Sequence, residues 1–113
     1  MSKGEKDSMK RSFATLAVVS LILLAATSAF AADGAALFKS KCAMCHGADG
    51  KGETSMGKSL KLRDFSSADV QKQTDAELKK IIEDGKGKMP AYKAKLAAGD
   101  ADALVAFLRT LKK

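Results

Sequence analysis

The sequence predicts an all-α fold in which three or four short helices gather around something the chain does not itself supply. Three observations carry that prediction. Apolar residues recur at helical spacing in two stretches, Leu78–Ile81–Ile82 and Leu104–Phe107–Leu108–Leu111, and no stretch alternates as a strand requires. The part that folds is small, and apolar burial in so short a chain barely offsets its conformational entropy, so a staple, metal or cofactor is expected. The only two cysteines, Cys42 and Cys45, stand beside the only histidine, His46, in the run KCAMCHG.

The 113 residues divide in two. Lys10 and Arg11 precede an uncharged run from Ser12 to Ala32 with the apolar heart FATLAVVSLILLAA. It closes on SAFAAD, with Ala29 and Ala31 at the small-residue positions of a signal-peptidase site. A basic start, an apolar middle and an A-x-A end read as a secretory signal over residues 1–31, cut after Ala31. Met9, which opens MKRSF, is the more ordinary start for such a segment. An uncleaved anchor is the alternative, since about 20 apolar residues can span a bilayer. The Ala, Ser and Thr content towards the end of the run favours cleavage. The domain, residues 32–113, is exported in both cases. The expected compartment is the periplasm, with a thylakoid lumen as the other possibility.

Asp33 can cap a helix over Gly34–Cys45 that carries Leu37 and Phe38. The text GADGKGETSMG, residues 47–57, has four glycines in eleven residues and reads as a loop. SLKLRDFSS follows without periodicity and is expected to wrap across apolar material through Leu60, Leu62 and Phe65, with a helical turn starting at Ser67. Thr74 and Glu77 form a T-x-x-E capping box, and Gly85 closes the helix that it opens. GKGKMPAYKAKL is irregular, broken by Gly87 and Pro90. Asp100 is expected to cap the last helix.

CAMCH admits three chemistries. A C-x-x-C disulfide suits an exported protein, but the disulfide enzymes set it in alternating strands and helices, which are missing here. A bridge across two residues would also constrain little of the unfolded chain. Structural zinc wants four N/S ligands, usually as two pairs, and there is one pair with no second cluster. Covalent haem fits. Cysteines three apart on a helix lie on one face, so both sulfurs can add to the vinyl groups of one porphyrin, and the next residue brings an imidazole to the iron. Attachment also secures a cofactor that a short chain could not otherwise bury firmly.

His46 closes one side of the iron, and no second histidine exists for the other. The candidates for a sixth ligand are methionine or lysine. Met44 lies between the cysteines and cannot reach the opposite face. Met56 lies in the glycine-rich loop and could. Met89 is better placed, with glycines before it and Pro90 holding it extended, as a strap along a ring requires.

Residues 33–113 resemble the small class I cytochromes c of bacteria, the group that includes cytochromes c6 and c-551/c-553. The resemblance rests on GAALFKSKCAMCHG, DAELKKIIEDGKGKMPAY and LVAFLRTL. It implies helices wrapped around one covalently bound haem c, with His46 and Met89 axial. It also implies that the first and last helices cross, packing Gly34 and Phe38 against Leu104 and Phe107. Many members place a proline after C-x-x-C-H whose carbonyl accepts the imidazole Nδ1–H. Pro90 is the only proline here, so another carbonyl within residues 47–58 is expected in that role.

The expected function is a monomeric single-electron carrier that transforms no substrate. From Ala32 onward 16 Lys and Arg face 11 Asp and Glu, a net of +5, which favours acidic redox partners. Lys39, Lys41, Lys58, Lys61, Lys86, Lys88, Lys93 and Lys95 could ring the haem edge. Arg63 is a candidate for a haem propionate, and Tyr92 for packing near the strap. No aromatics interleave with the basic residues, which argues against nucleic acid, and contact with a membrane is expected only through partner complexes. The alternatives are an open-iron sensor or weak peroxidase, and a haem subunit of a membrane respiratory complex.

Overall fold

Asp33 starts the first helix by capping it. Its Oδ1 accepts from the N–H of Ala35 at 3.1 Å and of Ala36 at 3.2 Å, satisfying donors that a helical first turn leaves free. The structure, a computed structural model, describes residues 33–113, so the signal segment expected over residues 1–31 lies outside the described residues. Helix α1 is Gly34–Lys41. The sequence predicts that it runs on to Cys45, but the turn widens at Cys42 (φ −118°, ψ −33°), and the helix resumes as α2, Ala43–His46. The break is shallow. Cys42 still donates to the Phe38 carbonyl at 2.9 Å, and its own carbonyl accepts from Cys45 at 3.3 Å and His46 at 3.0 Å.

The glycine-rich segment holds a helix where the sequence predicts only a loop. Thr54 caps α3, Ser55–Ser59, by accepting from the Gly57 N–H at 2.8 Å. One turn is too short to show any apolar periodicity, so only the threonine could have signalled it. A second one-turn helix, α4 (Ala68–Gln71), begins after Ser67. Helix α5, Asp75–Asp84, has the expected capping box. The Thr74 N–H donates to Glu77 Oε2 at 2.7 Å, and the Glu77 N–H donates to Thr74 Oγ1 at 3.1 Å.

A 3₁₀ turn at Lys93–Lys95 leads to α6, Asp100–Thr110. Here the expected cap is displaced by one residue. Gly99 occupies the cap position in the left-handed conformation (φ 88°), which a side chain would strain. That turn carries the Asp100 carboxylate back, and it accepts from the Ala97 N–H at 2.9 Å. Counting one-turn pieces, six α-helices stand among the described residues against the three or four expected, but only α1, α5 and α6 exceed two turns. No β-strand occurs among the described residues, and none of their helices is long and apolar enough to cross a membrane.

Helices α1 and α6 cross as the resemblance implied. A Cβ on Gly34 would run into the Ala103 carbonyl oxygen and come within 3.1 Å of Phe107 Cβ. That closeness brings the Phe38 and Phe107 rings to 5.0 Å, with Phe38 and Leu104 each 2 % exposed. Val70, Leu78, Ile82, Val105 and Leu108 complete the buried cluster with Ala101. Arg109 of α6 ties the α4–α5 junction down, donating to the carbonyls of Gln71 at 2.9 Å and Gln73 at 2.6 Å and to Asp75 Oδ1 at 2.8 Å. Gln71 Nε2 bridges the Phe65 and Leu108 carbonyls at 2.7 and 3.0 Å. Nothing in the sequence marked this pair out.

Gly34→Ala places a methyl group against backbone that cannot yield. It is expected to destabilise the protein by about 1–3 kcal/mol, the usual cost of overpacking, read as a lower denaturant midpoint at unchanged slope.

Candidate functional site

The break at Cys42, the loop after His46 and the segment after α5 enclose one cleft. It has two chambers, of about 230 Å³ and 260 Å³, which share His46, Leu62, Lys86 and Met89. The first adds Cys42, Cys45, Leu60, Pro90 and Tyr92, and the second reaches into the core past Phe65, Val70, Leu78 and Ile82. The four residues singled out from the sequence, Cys42, Cys45, His46 and Met89, therefore line a common, largely apolar space. Of the three candidate methionines only Met89 lines it. Met44 is 85 % exposed and Met56 is 50 % exposed, and neither borders a chamber.

Both thiols are free and half-buried. Burial pushes the Cys42 thiol above its ordinary value, against the opposing pull of Lys41, so the neutral thiol is the resting form. Burial pushes His46 below its ordinary value and keeps the imidazole neutral, the form with a lone pair for a metal. Its Nδ1 is buried and has no hydrogen-bond partner. No carbonyl from residues 47–58 bonds to it, contrary to expectation, and several of the loop's carbonyls are engaged by other backbone N–H groups. Gly47 O accepts from Gly50, Gly50 O from Phe65, Thr54 O from Lys58, Met56 O from Leu60 and Gly57 O from Leu62. The ring lies instead against Phe65, with centroids 4.6 Å apart and planes 28° from parallel.

The loop is fastened to the backbone of the C-x-x-C-H run. The Gly52 N–H donates to the His46 carbonyl at 2.8 Å, and Thr54 Oγ1 donates to the Cys45 carbonyl at 2.6 Å. A Cβ on Gly57 would strike the Gly52 carbonyl oxygen and lie 2.9 Å from that of Cys45, so glycine is required where loop and motif meet. Thr54 thus caps α3 and clasps the motif at once. The sequence reading missed it, although a threonine ahead of a short polar turn is a recognisable cap signal.

The Met89 segment is a closed turn rather than the flexible strap that its glycines suggest. Lys86 and Met89 exchange both backbone hydrogen bonds, at 3.1 and 3.0 Å. Gly85 (φ 77°) packs beneath, where a Cβ would lie 2.6 Å from the Met89 carbonyl oxygen and 2.9 Å from Ala91 N. Beyond Pro90, the Tyr92 N–H donates to the Ile82 carbonyl at 3.1 Å, and its hydroxyl donates to the Lys41 carbonyl at 3.3 Å. Tyr92 therefore joins the Met89 segment to the end of α1, close to its expected place.

Lys41, Lys61, Arg63, Lys86 and Lys88 line the two chambers, and no Asp or Glu does. Arg63 borders the second chamber, where an acidic group could reach it. The remaining candidates, Lys39, Lys58, Lys93 and Lys95, do not line the cleft. Lys58 sits 3.7 Å from Glu53, and Lys95 lies over the Tyr92 ring. No three His, Cys, Asp or Glu side chains among the described residues converge as a bare metal site needs. Two thiols, a neutral imidazole and a thioether around an apolar cleft, with only cations among its charged residues, suit a flat, iron-holding macrocycle with acidic substituents.

Comparison with known proteins points the same way. The family model described as cytochrome C oxidase, cbb3-type, subunit III matches residues 29–108. Among solved structures, the KustC0563 c-type cytochrome is 36 % identical over 72 % of this chain and 99 % of that one, with a TM-score of 0.67. A tyrosine-to-phenylalanine mutant of Kustc0563 is 36 % identical over 71 % of this chain and 99 % of that one, with a TM-score of 0.63. No curated protein matches the chain.

Gly85→Ala must either strain a left-handed backbone or push the Met89 carbonyl away. A stability loss of about 1–3 kcal/mol is expected in denaturant unfolding, the range for such backbone strain.

Proposed function

This chain belongs to the c-type cytochromes, in the family described as cytochrome C oxidase, cbb3-type, subunit III, and we propose that it is an exported single-electron carrier with one haem. Cys42 and Cys45 would hold the macrocycle through two thioether bonds, and His46 and Met89 would ligate its iron. The haem would supply a one-electron couple. One observation carries the reading: Met89 is the only candidate methionine lining the cleft that His46 lines, and a closed turn holds it.

Each residue then has a task. The Met89 thioether favours the reduced state, as a soft ligand does. Val70, Leu78 and Ile82 keep one wall of the cleft apolar, which disfavours the extra charge of the oxidised form. Arg63 and Lys61 offset acidic substituents at the cleft. Lys86 and Lys88, exposed beside Met89, steer acidic partners. An open-iron sensor or peroxidase would need Met89 to leave, and the closed Lys86–Met89 turn with Gly85 packed beneath opposes that.

The family description favours a second reading, a haem-bearing subunit of a membrane oxidase. The mass of the mature protein separates the two. A chain beginning near Ala32 is expected of a periplasmic carrier, and a retained leader of an anchored subunit.

The optical spectrum of protein made in cells competent for cytochrome c maturation tests the central proposal. The oxidised form is expected to show a weak far-red sulfur-to-iron band that Met89→Ala abolishes. A high-spin spectrum responsive to CO would bring the open-iron reading forward, and no covalently held haem would overturn the assignment.

Docking on lysines carries its own salt signature. Between about 0.01 M and 0.15 M salt the screening length falls from roughly 30 Å to 8 Å. Electron exchange with an acidic partner should slow over that range, and the slope should flatten in a Lys86→Glu, Lys88→Glu double variant.

A further inference from the structure

A ligating imidazole ordinarily donates its second nitrogen to a carbonyl, a carboxylate or water, and that bond fixes how the ring is turned about the metal–nitrogen axis. His46 has no such restraint from the protein, since its Nδ1 is buried without a partner. Its ring nevertheless has one well-defined neighbour. The face of Phe65 lies at 4.6 Å and 28° to it.

Phe65 is itself held by ring and backbone contacts on the side away from the cleft. Its ring meets Phe38 edge-on at 5.9 Å and 72°, and Phe38 is 2 % exposed. Its N–H donates to the Gly50 carbonyl at 2.9 Å, and its carbonyl accepts from Gln71 Nε2 at 2.7 Å. Gly50 adds a steric condition, because a Cβ there would lie 2.9 Å from the Phe65 ring. A continuous chain of contacts therefore runs from the buried core to the imidazole.

We propose that Phe65 is the positioning residue for His46: the stacked ring, in place of a hydrogen bond at Nδ1, sets the rotation of the imidazole plane. The proposal rests on the haem-ligand reading above. It has an electronic corollary. An imidazole with no acceptor on Nδ1 gains no added basicity from a hydrogen bond, so it remains a plain neutral donor to the iron.

In a low-spin ferric haem the axial ring planes govern how unpaired spin spreads over the pyrroles, so the four haem-methyl proton shifts report their rotation. The experiment compares those shifts in matured wild-type, Phe65→Leu and Phe65→Tyr holoprotein. The order or spread of the four resonances is expected to change in Phe65→Leu and to return in Phe65→Tyr, which restores the aromatic face. A wild-type pattern in Phe65→Leu would overturn the proposal.

Should Phe65→Leu fail to mature, the ferrous wild-type protein decides. Nuclear Overhauser contacts between the His46 and Phe65 rings support the stack, whereas a His46 Nδ1–H bonded to a carbonyl, with no such contacts, refutes it. Wild-type protein lacking attached haem would refute the functional reading and this proposal together, and the optical spectrum shows that before any resonance is assigned.

Discussion

The approach of Gly34 to the Ala103 carbonyl decides where the rest of the molecule goes. It brings α1 onto α6 at backbone distance, and only then can Phe38 reach Phe107 and Leu104. Cys42, Cys45 and His46 follow Phe38 within eight residues, so the direction of α1 is also the direction from which the motif enters the cleft. At the far end of α6, Leu108 and Arg109 hold α4 and α5, whose apolar side forms the opposite wall. One close crossing thus positions both sides of the site.

The cleft survives because short segments around it are tied by backbone rather than by bulk. Eight apolar residues form the buried cluster, which is little for a domain of this size, and the remaining order comes from specific hydrogen bonds. Thr54, Gly52 and Gly57 clasp the loop to the Cys45 and His46 carbonyls, and the mutual Lys86–Met89 bonds close the segment across from it. These ties hold Met89 and His46 on the walls of the same cleft. The carbonyls of Gly47, Gly50, Thr54, Met56 and Gly57 accept from other backbone N–H groups, and none from the loop meets the imidazole Nδ1.

Charge and apolarity are separated around the site in a way that suits electron exchange. The chamber walls are largely hydrocarbon, yet every charged residue that borders them is a cation. The nearby acids lie outside. Asp75 is engaged by Arg109, Asp102 by Lys79 and Asp69 by Lys72. Five of the 16 basic residues in 32–113 border the chambers, and none of the 11 acidic ones does.

Much of this was legible in the sequence. The helix class, the Thr74–Glu77 box, the Gly34 crossing and the grouping of Cys42, Cys45, His46 and Met89 all rest on local spacing or on motif resemblance, which need no third dimension. Short-range signals failed where one residue serves two neighbours. Asp100 looked like a cap because it is acidic and precedes an apolar run, but the left-handed turn at Gly99 took that place. The glycines around Met89 looked like slack, yet Gly85 and the paired backbone bonds make that segment tight. Composition and spacing by themselves determined which atoms could hold a cofactor. Only the tertiary structure decided how they are held, because the Phe65 stack, the Arg109 ties and the surroundings of the His46 Nδ1 depend on groups many positions apart in sequence that meet only in the fold.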